Sequence, residues 1–486
     1  FVPQPITMTR ASAGTRVNPQ GLVETVELLG SEEIVNGYFA TDSDWTNNIS
    51  GWTISNGKAN YSGVNTIASF QQNISLSVGK IYKVTYTISN RQQGDFRILL
   101  GNTSGTINNS DGTYTEYITY SSGSIFYLQA RSSFIGSIDN VSVKESTKNN
   151  LARVDYDGTA SSLLVEPERT NLITYSEDFS NAVWSEVSGG SASNPVLTND
   201  YAISPDGTQN ATRCLFDLGG GTTISDFSRL RYLNLTATNP LISIYIKSNN
   251  ATTYQLSLSY GGDSVFLVDA KPNEWTRVDK STTASGSFDY RLELRGTHTS
   301  DDIADVLIWG VQAESNESYA TSYIPTDGGT VTRVQDQYSK TGISNLINSE
   351  EGVLYVEMAA LANDSTDRQL KLSDGTDTNR IVLKYDNQSN VIQCFNRVDG
   401  EETAFLSATV SDITQFSKIA IKWKLNDYAL WIDGIEEDSD TSSTTFPAST
   451  LNELTFGTSS ALYAKVKQLQ IFKTALTDDE LAILTT

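Results

Sequence analysis

EPERTNLITYSEDFSNAVW, residues 166–184, opens with charge and proline, runs through an extended-looking Thr170 to Tyr175 and closes on a lone tryptophan. It has a counterpart in EEIVNGYFATDSDW, residues 32–45: both carry an Asn, a Phe and a closing Trp. Residues 32–145 and 170–315 then continue in the same order. Each has an alternating stretch in the middle, KIYKVTYTIS (80–89) in one and NPLISIYIKS (239–248) in the other. FYLQAR (126–131) and DYRLELRG (289–296) follow, and GSIDNVSVKE (136–145) and VLIWGVQAES (306–315) end the two copies. Such self-similarity marks a repeated module. The quoted stretch is therefore the start of a second module, not a catalytic loop or a slack linker. Phe179 and Trp184 are its expected core anchors.

Alternation with period two sets the fold class. Tyr82, Val84, Tyr86 and Ile88 share one parity against Lys83, Thr85 and Thr87. Ile242, Ile244 and Ile246 oppose Ser243, Tyr245 and Lys247, and Tyr290, Leu292 and Leu294 oppose Arg291, Glu293 and Arg295. This is the pattern of half-buried antiparallel strands. Gly, Asn, Asp and Ser clusters punctuate them at short intervals. The chain reads as all-β, with three β-sandwich (jelly-roll) domains in tandem. One short helix closes it: Thr477 and Glu480 form a capping box, with Leu476 and Leu481 as staple residues. Two hairpins are also legible, one turning at Asn18-Pro19-Gln20-Gly21 and one at Asp157-Gly158. The expected domains are an N-terminal hairpin segment 1–31, a jelly roll 32–147 inserted between the hairpins, a connecting hairpin 148–169, a second jelly roll 170–335 and a third sandwich 345–486. A domain whose ends lie close together tolerates such insertion.

Composition bounds the function. The 486 residues suit about three domains. The net charge is −23, and the 34 Lys and Arg form no continuous stripe, which argues against nucleic-acid binding. No run reaches the ~18 apolar residues of a membrane helix, so membrane insertion is not expected. No basic-then-apolar signal segment opens the chain; it begins at Phe1 rather than Met, which leaves room for an upstream piece. Cys214 and Cys394 are far apart and form no CxxC or disulfide framework. The single histidine, His298, lies in a polar RGTHTSDD loop and lacks the companions a zinc site needs. A Ser-His-Asp relay would have to use this one imidazole.

Three segments, TRASAGTRVNPQGLVE (9–24), ARVDYDGTASSLLVEPERTNLITYSEDFSNAVW (152–184) and ATSYIPTDGGTVTR (320–333), resemble virion appendage proteins of tailed, especially marine, bacteriophages. In many of those proteins the first two segments run almost together; here residues 32–147 separate them. The inserted piece, with VNGYFATDSDW and IDNVSV, is similar to carbohydrate-binding jelly rolls of the family 4/9 type. Residues 345–486, with EGVLYVEM, IKWKLNDYALWIDG and VKQLQIFKTALTDDELAIL, look like a laminin-G or concanavalin A-like sandwich. The resemblance implies a virion-surface tail fibre, receptor-binding or capsid-fibre protein, with other virion proteins as partners and a homotrimer as the usual assembly.

Two polar sheet faces are candidates for sugar contact. In the first jelly roll Tyr127, Gln129 and Arg131 lie opposite Phe126, Leu128 and Ala130 in parity, with Arg97 as a possible neighbour. In the second, Tyr245, Arg291 and Arg295 are the equivalents. A ring for stacking among hydrogen-bonding groups is what a saccharide needs; the alternative is an ordinary solvated or subunit-facing sheet. Among the tryptophans, Trp309, Trp423 and Trp275 are expected to pack inside, and Trp45 is the one expected to be exposed. Jelly rolls of the family 4/9 type commonly carry a structural calcium. Asp139 matches one of its ligands, but Ala40 stands where an acid is expected. In the third sandwich Asp364, Asp367, Asp374 and Asp377 supply hard oxygens suited to calcium. No pair of carboxylates is flagged by a motif for glycoside hydrolysis. The reading is a non-enzymatic appendage meeting host-surface polysaccharide, with a capsid-decoration role and a glycan-cleaving enzyme as alternatives.

Overall fold

The computed structural model describes residues 5–261, 265–456 and 460–486, and it is nearly all β. It divides into two compact units, residues 27–148 and the remainder.

The unit 27–148 is built around two long strands, Ile81–Leu100 and Ile125–Thr147, paired antiparallel along most of their length. Their register shifts after Arg131 and again after Asp139, and Asn90, Gly94, Ser132, Ser133 and Asn140 have positive φ. These breaks bend both strands so that their two halves line one core. Tyr86 and Phe96, from opposite halves of one strand, meet with ring centroids 5.3 Å apart. Val84, Ile98, Phe126 and Leu128 are fully buried around them, as their alternation requires.

The second sandwich packs two five-stranded sheets. One has the order Trp184–Gly189, Phe227–Thr238, Ser285–Arg295, Tyr254–Tyr260, Phe266–Ala270. The other has the order Ser193–Ala202, Ala211–Asp217, Ile303–Ser315, Pro240–Ser248, Thr276–Ser281. Phe179 and Trp184 sit in its core with ring centroids 4.9 Å apart.

The C-terminal sandwich has two seven-stranded sheets and departs from the expected boundaries. The hairpin Arg153–Asp157/Ala160–Val165 is no free connector. Leu163 pairs with Val466, so the hairpin forms the edge of one sheet. Thr7–Thr9 pairs with Gln337–Thr341, which pairs in turn with Glu453–Thr455 of the other sheet. The third sandwich thus draws strands from three stretches of sequence, and residues 337–341 belong to it. The helix Asp478–Thr485 covers the outside of one sheet through Leu481, with both halves of the Thr477–Glu480 capping box formed. Cys214 and Cys394 are buried free thiols.

The three segments that carry the resemblance converge on one buried ionic cluster. Arg10, Arg153 and Arg333 are 1% exposed or less. Arg10 reaches Asp336 at 2.7 Å, Arg153 bonds both Glu166 (2.5 Å) and Asp336, and Arg333 lies 2.9 Å from Glu166. The Ser322 amide donates to Glu166 at 2.7 Å, and the Glu166 amide donates to Asp336 at 2.9 Å. Burial alone would raise the Glu166 carboxyl, but Arg333, Arg153 and the Ser322 donors outweigh it and hold it below the usual carboxylate range. Gly14 is required here: a Cβ would stand 2.9 Å from both the Arg10 and Arg153 side chains. Asn171 of the quoted stretch ties in the next layer, donating to Ile324 and accepting from Ile173 and Ala313.

Candidate functional site

In the inserted unit the structure brings the four candidates of one face together. Gln129 lies directly across from Arg97, Arg131 from Asp95, and Tyr127 from Leu99 on one side and Gln71 on the other. Arg97 donates through Nε to Gln129 Oε1 at 2.9 Å, and Arg131 donates to the same oxygen at 3.3 Å. Tyr127, Gln129, Arg97 and Arg131 are all half-buried, so each keeps part of its surface in water. Burial and the neighbouring Arg131 pull the Arg97 guanidinium below its ordinary value. The result is a phenol ring beside an amide and two guanidinium groups held in fixed orientation. Such a face offers a stacking surface and several donors to a flat, hydroxyl-rich ligand.

The second set of candidates divides. Tyr245 belongs to the sheet containing Pro240–Ser248, whereas Arg291 and Arg295 belong to the opposing sheet. Tyr245 is packed edge-on against Trp309 at 5.3 Å, near Tyr323 and Val23, with Arg277 over its ring. Trp309 is buried as expected, but on this outer layer rather than in the inter-sheet core. Gly310, at φ +62°, resets the alternation between it and Val311, which does face the core. Trp275 is half-buried against the same layer, with its indole N–H donating to Ile203.

Arg291 and Arg295 instead join two arginines that the sequence reading did not select, Arg229 and Arg231 of Phe227–Thr238. Arg231 lies across from Arg291, Arg229 from Glu293, and Phe227 from Arg295. Their alternation with Leu230 and Tyr232 was the available signal. Glu293 accepts from Arg229 at 2.5 Å and from Arg295 at 2.8 Å, and Asp289 accepts from Arg231 at 2.9 Å. The Arg229 and Arg295 guanidinium groups lie 4.1 and 4.9 Å from the centre of the Phe227 ring.

Trp45 is not exposed. It is 8% accessible, stacked on Phe70 at 5.5 Å and beside Phe39, with its indole N–H donating to Asn36. Trp423 lies in the core of the C-terminal sandwich.

The calcium candidates do not assemble. Asp364 is bound by Arg368 and Ser318, and Asp377 by Arg380 and Lys371. Asp374 accepts from Thr376 and Asn379 of its own loop, and Asp139 from the Asn140 amide. Asp367 pairs with Lys384. Among the described residues no group of three acid, His or Cys side chains is placed to hold a metal ion. Asp364, Asp367 and Asp377 are held by Arg and Lys partners, whereas Asp374 and Asp139 accept only from neutral donors.

Comparison with known proteins adds one family. Residues 354–482 match the concanavalin A-like lectin/glucanases superfamily. The match lies within the C-terminal sandwich and covers most of its strands, and the two seven-stranded sheets agree with it. No curated protein matches the chain. Among solved structures, the CBM40 of Ruminococcus gnavus IT-sialidase bound to α2,3-sialyllactose is 18% identical, over 30% of this chain and 91% of that one, at a TM-score of 0.26. The CBM22 tandem of Paenibacillus barcinonensis Xyn10C is 9% identical, over 59% of this chain and 98% of that one, at 0.22. Trypanosoma rangeli sialidase, in complex with the inhibitor DANA, is 10% identical over 99% and 98%, at 0.24. Likenesses at this level decide nothing about ligand or chemistry.

Proposed function

We propose that this chain is a non-enzymatic, glycan-binding component of a bacteriophage virion surface, displayed in multiple copies. The observation that carries the glycan reading is the face where Tyr127 stands beside Gln129, Arg97 and Arg131. Its residues are half-buried and presented on strands rather than on a loop, and Gln129 accepts hydrogen bonds from both Arg97 and Arg131. Rigid presentation lowers the ordering cost of weak polar recognition. The concanavalin A-like C-terminal sandwich is compatible with this role, although fold does not fix function.

What supports the virion reading is the resemblance of residues 9–24, 152–184 and 320–333, whose Arg10, Arg153, Glu166 and Arg333 meet in one cluster with Asp336. In that role the partners are other virion proteins and host polysaccharide, and the chain assembles as a homotrimer. Single-site sugar affinity is weak, and linked copies raise avidity by ~10²–10⁴.

The test is a glycan array probed with the full chain at multivalent density, alongside Tyr127→Ala and Arg131→Ala. Binding that falls in both variants while their melting temperature holds supports the reading. No binding to any glycan overturns it in favour of a purely architectural role. Antibody labelling of imaged virions tests the location.

A further inference from the structure

We infer that the outer face of the sheet containing Phe227–Thr238 and Ser285–Arg295 binds an acidic saccharide, gripping a carboxylate or sulfate ester with its arginines. The inference rests on the glycan reading above and adds a second face and a ligand class.

The chain as a whole is strongly acidic, with 57 Asp and Glu against 34 Lys and Arg. Against that background four arginines, Arg229, Arg231, Arg291 and Arg295, share one face of two adjacent strands. Arg231 and Arg291 are direct cross-strand partners, and like charges in that position destabilise a sheet. Two carboxylates lie among them. Glu293, 2% exposed, is used by Arg229 and Arg295, and Asp289 by Arg231. Asp269, exposed on the edge strand Phe266–Ala270, lies across from Gln255, one strand further out. Arg291 is paired with no carboxylate among the described residues, and its Nε is buried without a hydrogen-bond partner. It is half-buried, so its guanidinium is neither sealed in the core nor free in bulk water.

The surroundings add an apolar contact to the charged one. Ser257 and Ser259 lie buried at the base of the same face on the next strand, where Ser259 is the cross-strand partner of Arg291. Leu267, 51% exposed, continues the face one strand further as an apolar contact. The Phe227 ring packs against the guanidinium groups of both Arg229 and Arg295. A planar guanidinium grips carboxylate and sulfate oxygens in pairs, which an ammonium does not. At physiological salt, charges act over about 8 Å. A local excess of arginine can therefore hold an anionic sugar on a chain whose net charge is negative.

The experiment measures binding of the full chain to three probes: polygalacturonate for carboxylates, a low-density dextran sulfate for sulfate esters, and unmodified dextran as the neutral probe. The expected result is preference for one or both acidic probes, weakening as salt is raised. Arg291→Ala lowers that affinity at least tenfold without shifting the melting temperature, and Arg291→Lys falls in between. Which acidic probe binds assigns the anion. Full affinity in Arg291→Ala, or equal binding of dextran, overturns the inference. Neutral binding lost in Arg131→Ala without acidic binding overturns this inference and leaves the glycan reading intact. Silence on all three probes and on the glycan array removes both.

Discussion

The two jelly rolls begin alike and end differently. In each, a tryptophan closes the opening loop and donates its indole N–H to the carbonyl nine residues earlier: Trp45 to Asn36 at 3.1 Å, Trp184 to Tyr175 at 2.9 Å. Each indole rests on a phenylalanine of the same loop, Phe39 or Phe179. Seven residues before the tryptophan the copies diverge. Tyr38 of the first is 71% exposed. Glu177 of the second is half-buried and accepts from Tyr323 and Asn210. The outer faces diverge too: one mixes a phenol, an amide and two arginines, and the other gathers four arginines. A conserved plan of core anchoring therefore leaves the surface free to specialise, because alternate side chains of one strand answer to different demands.

The sharpest way to break the comparison is to disable the ionic cluster that only one of the two compact units contains. Glu166→Ala leaves buried Arg333 without its paired carboxylate and Arg153 with Asp336 alone, and should cost about 3–5 kcal/mol. Hydrogen exchange should then rise across Ile303–Ser315 while Ile81–Leu100 stays protected. Equal loss in both would show that the units do not unfold separately.

Next comes the Tyr38/Glu177 divergence. Burial, aided by Asp206 and Asp327 against the Tyr323 hydrogen bond, pushes the Glu177 carboxyl up to about 7. A carboxyl raised in the folded state stabilises below its unfolded value of 4.5, and that contribution is lost as pH rises through about 7. The full effect is on the order of 3 kcal/mol. Urea unfolding at pH 5 and pH 8 should show the second unit weakening at the higher pH, and Glu177→Gln should shrink the difference. An unchanged difference would mean the proton resides elsewhere.

Trp45→Phe and Trp184→Phe test the shared anchor. Each removes one buried donor and some packing, for about 1–3 kcal/mol. Similar losses in thermal melts would sharpen the analogy; a loss in only one copy would break it. The smallest effect concerns recognition. Tyr127→Ala should weaken glycan binding by roughly tenfold, about 1.4 kcal/mol, with stability unchanged.

Much of the fold was legible because alternation reports which side chains share a face. Tyr82 to Ile88, Phe126 to Ala130 and Tyr290 to Leu294 all point inward as their parity requires. The Thr477–Glu480 box was equally local. What parity does not carry is which strands are neighbours. Tyr245 was grouped with Arg291 and Arg295 because all three lie on polar-facing positions, yet they occupy opposite sheets. The hairpin 152–167 read as a connector because its partner, Ala464–Phe472, lies some 300 residues away. Trp45 sits in a loop without periodicity, and its burial comes from rings distant in sequence, Phe70 and Phe126, as well as from Phe39. The acidic loop of the third sandwich suggested a metal because Arg368, Arg380 and Lys371 were not visible as its partners.

The long-range pairing of the C-terminal sandwich has a consequence for synthesis. Thr7–Thr9 waits for Gln337–Thr341, and Leu163 waits for Val466, so both lie as unpaired edges while hundreds of residues are made. Non-local contacts of this kind slow folding and expose strands to wrong partners. Residues 27–148 have all their sheet partners within their own span and can fold as soon as they emerge. The nascent chain would then carry a finished module between two unfinished edges, and removing residues 464–472 should send the product into aggregates with that module still folded inside them.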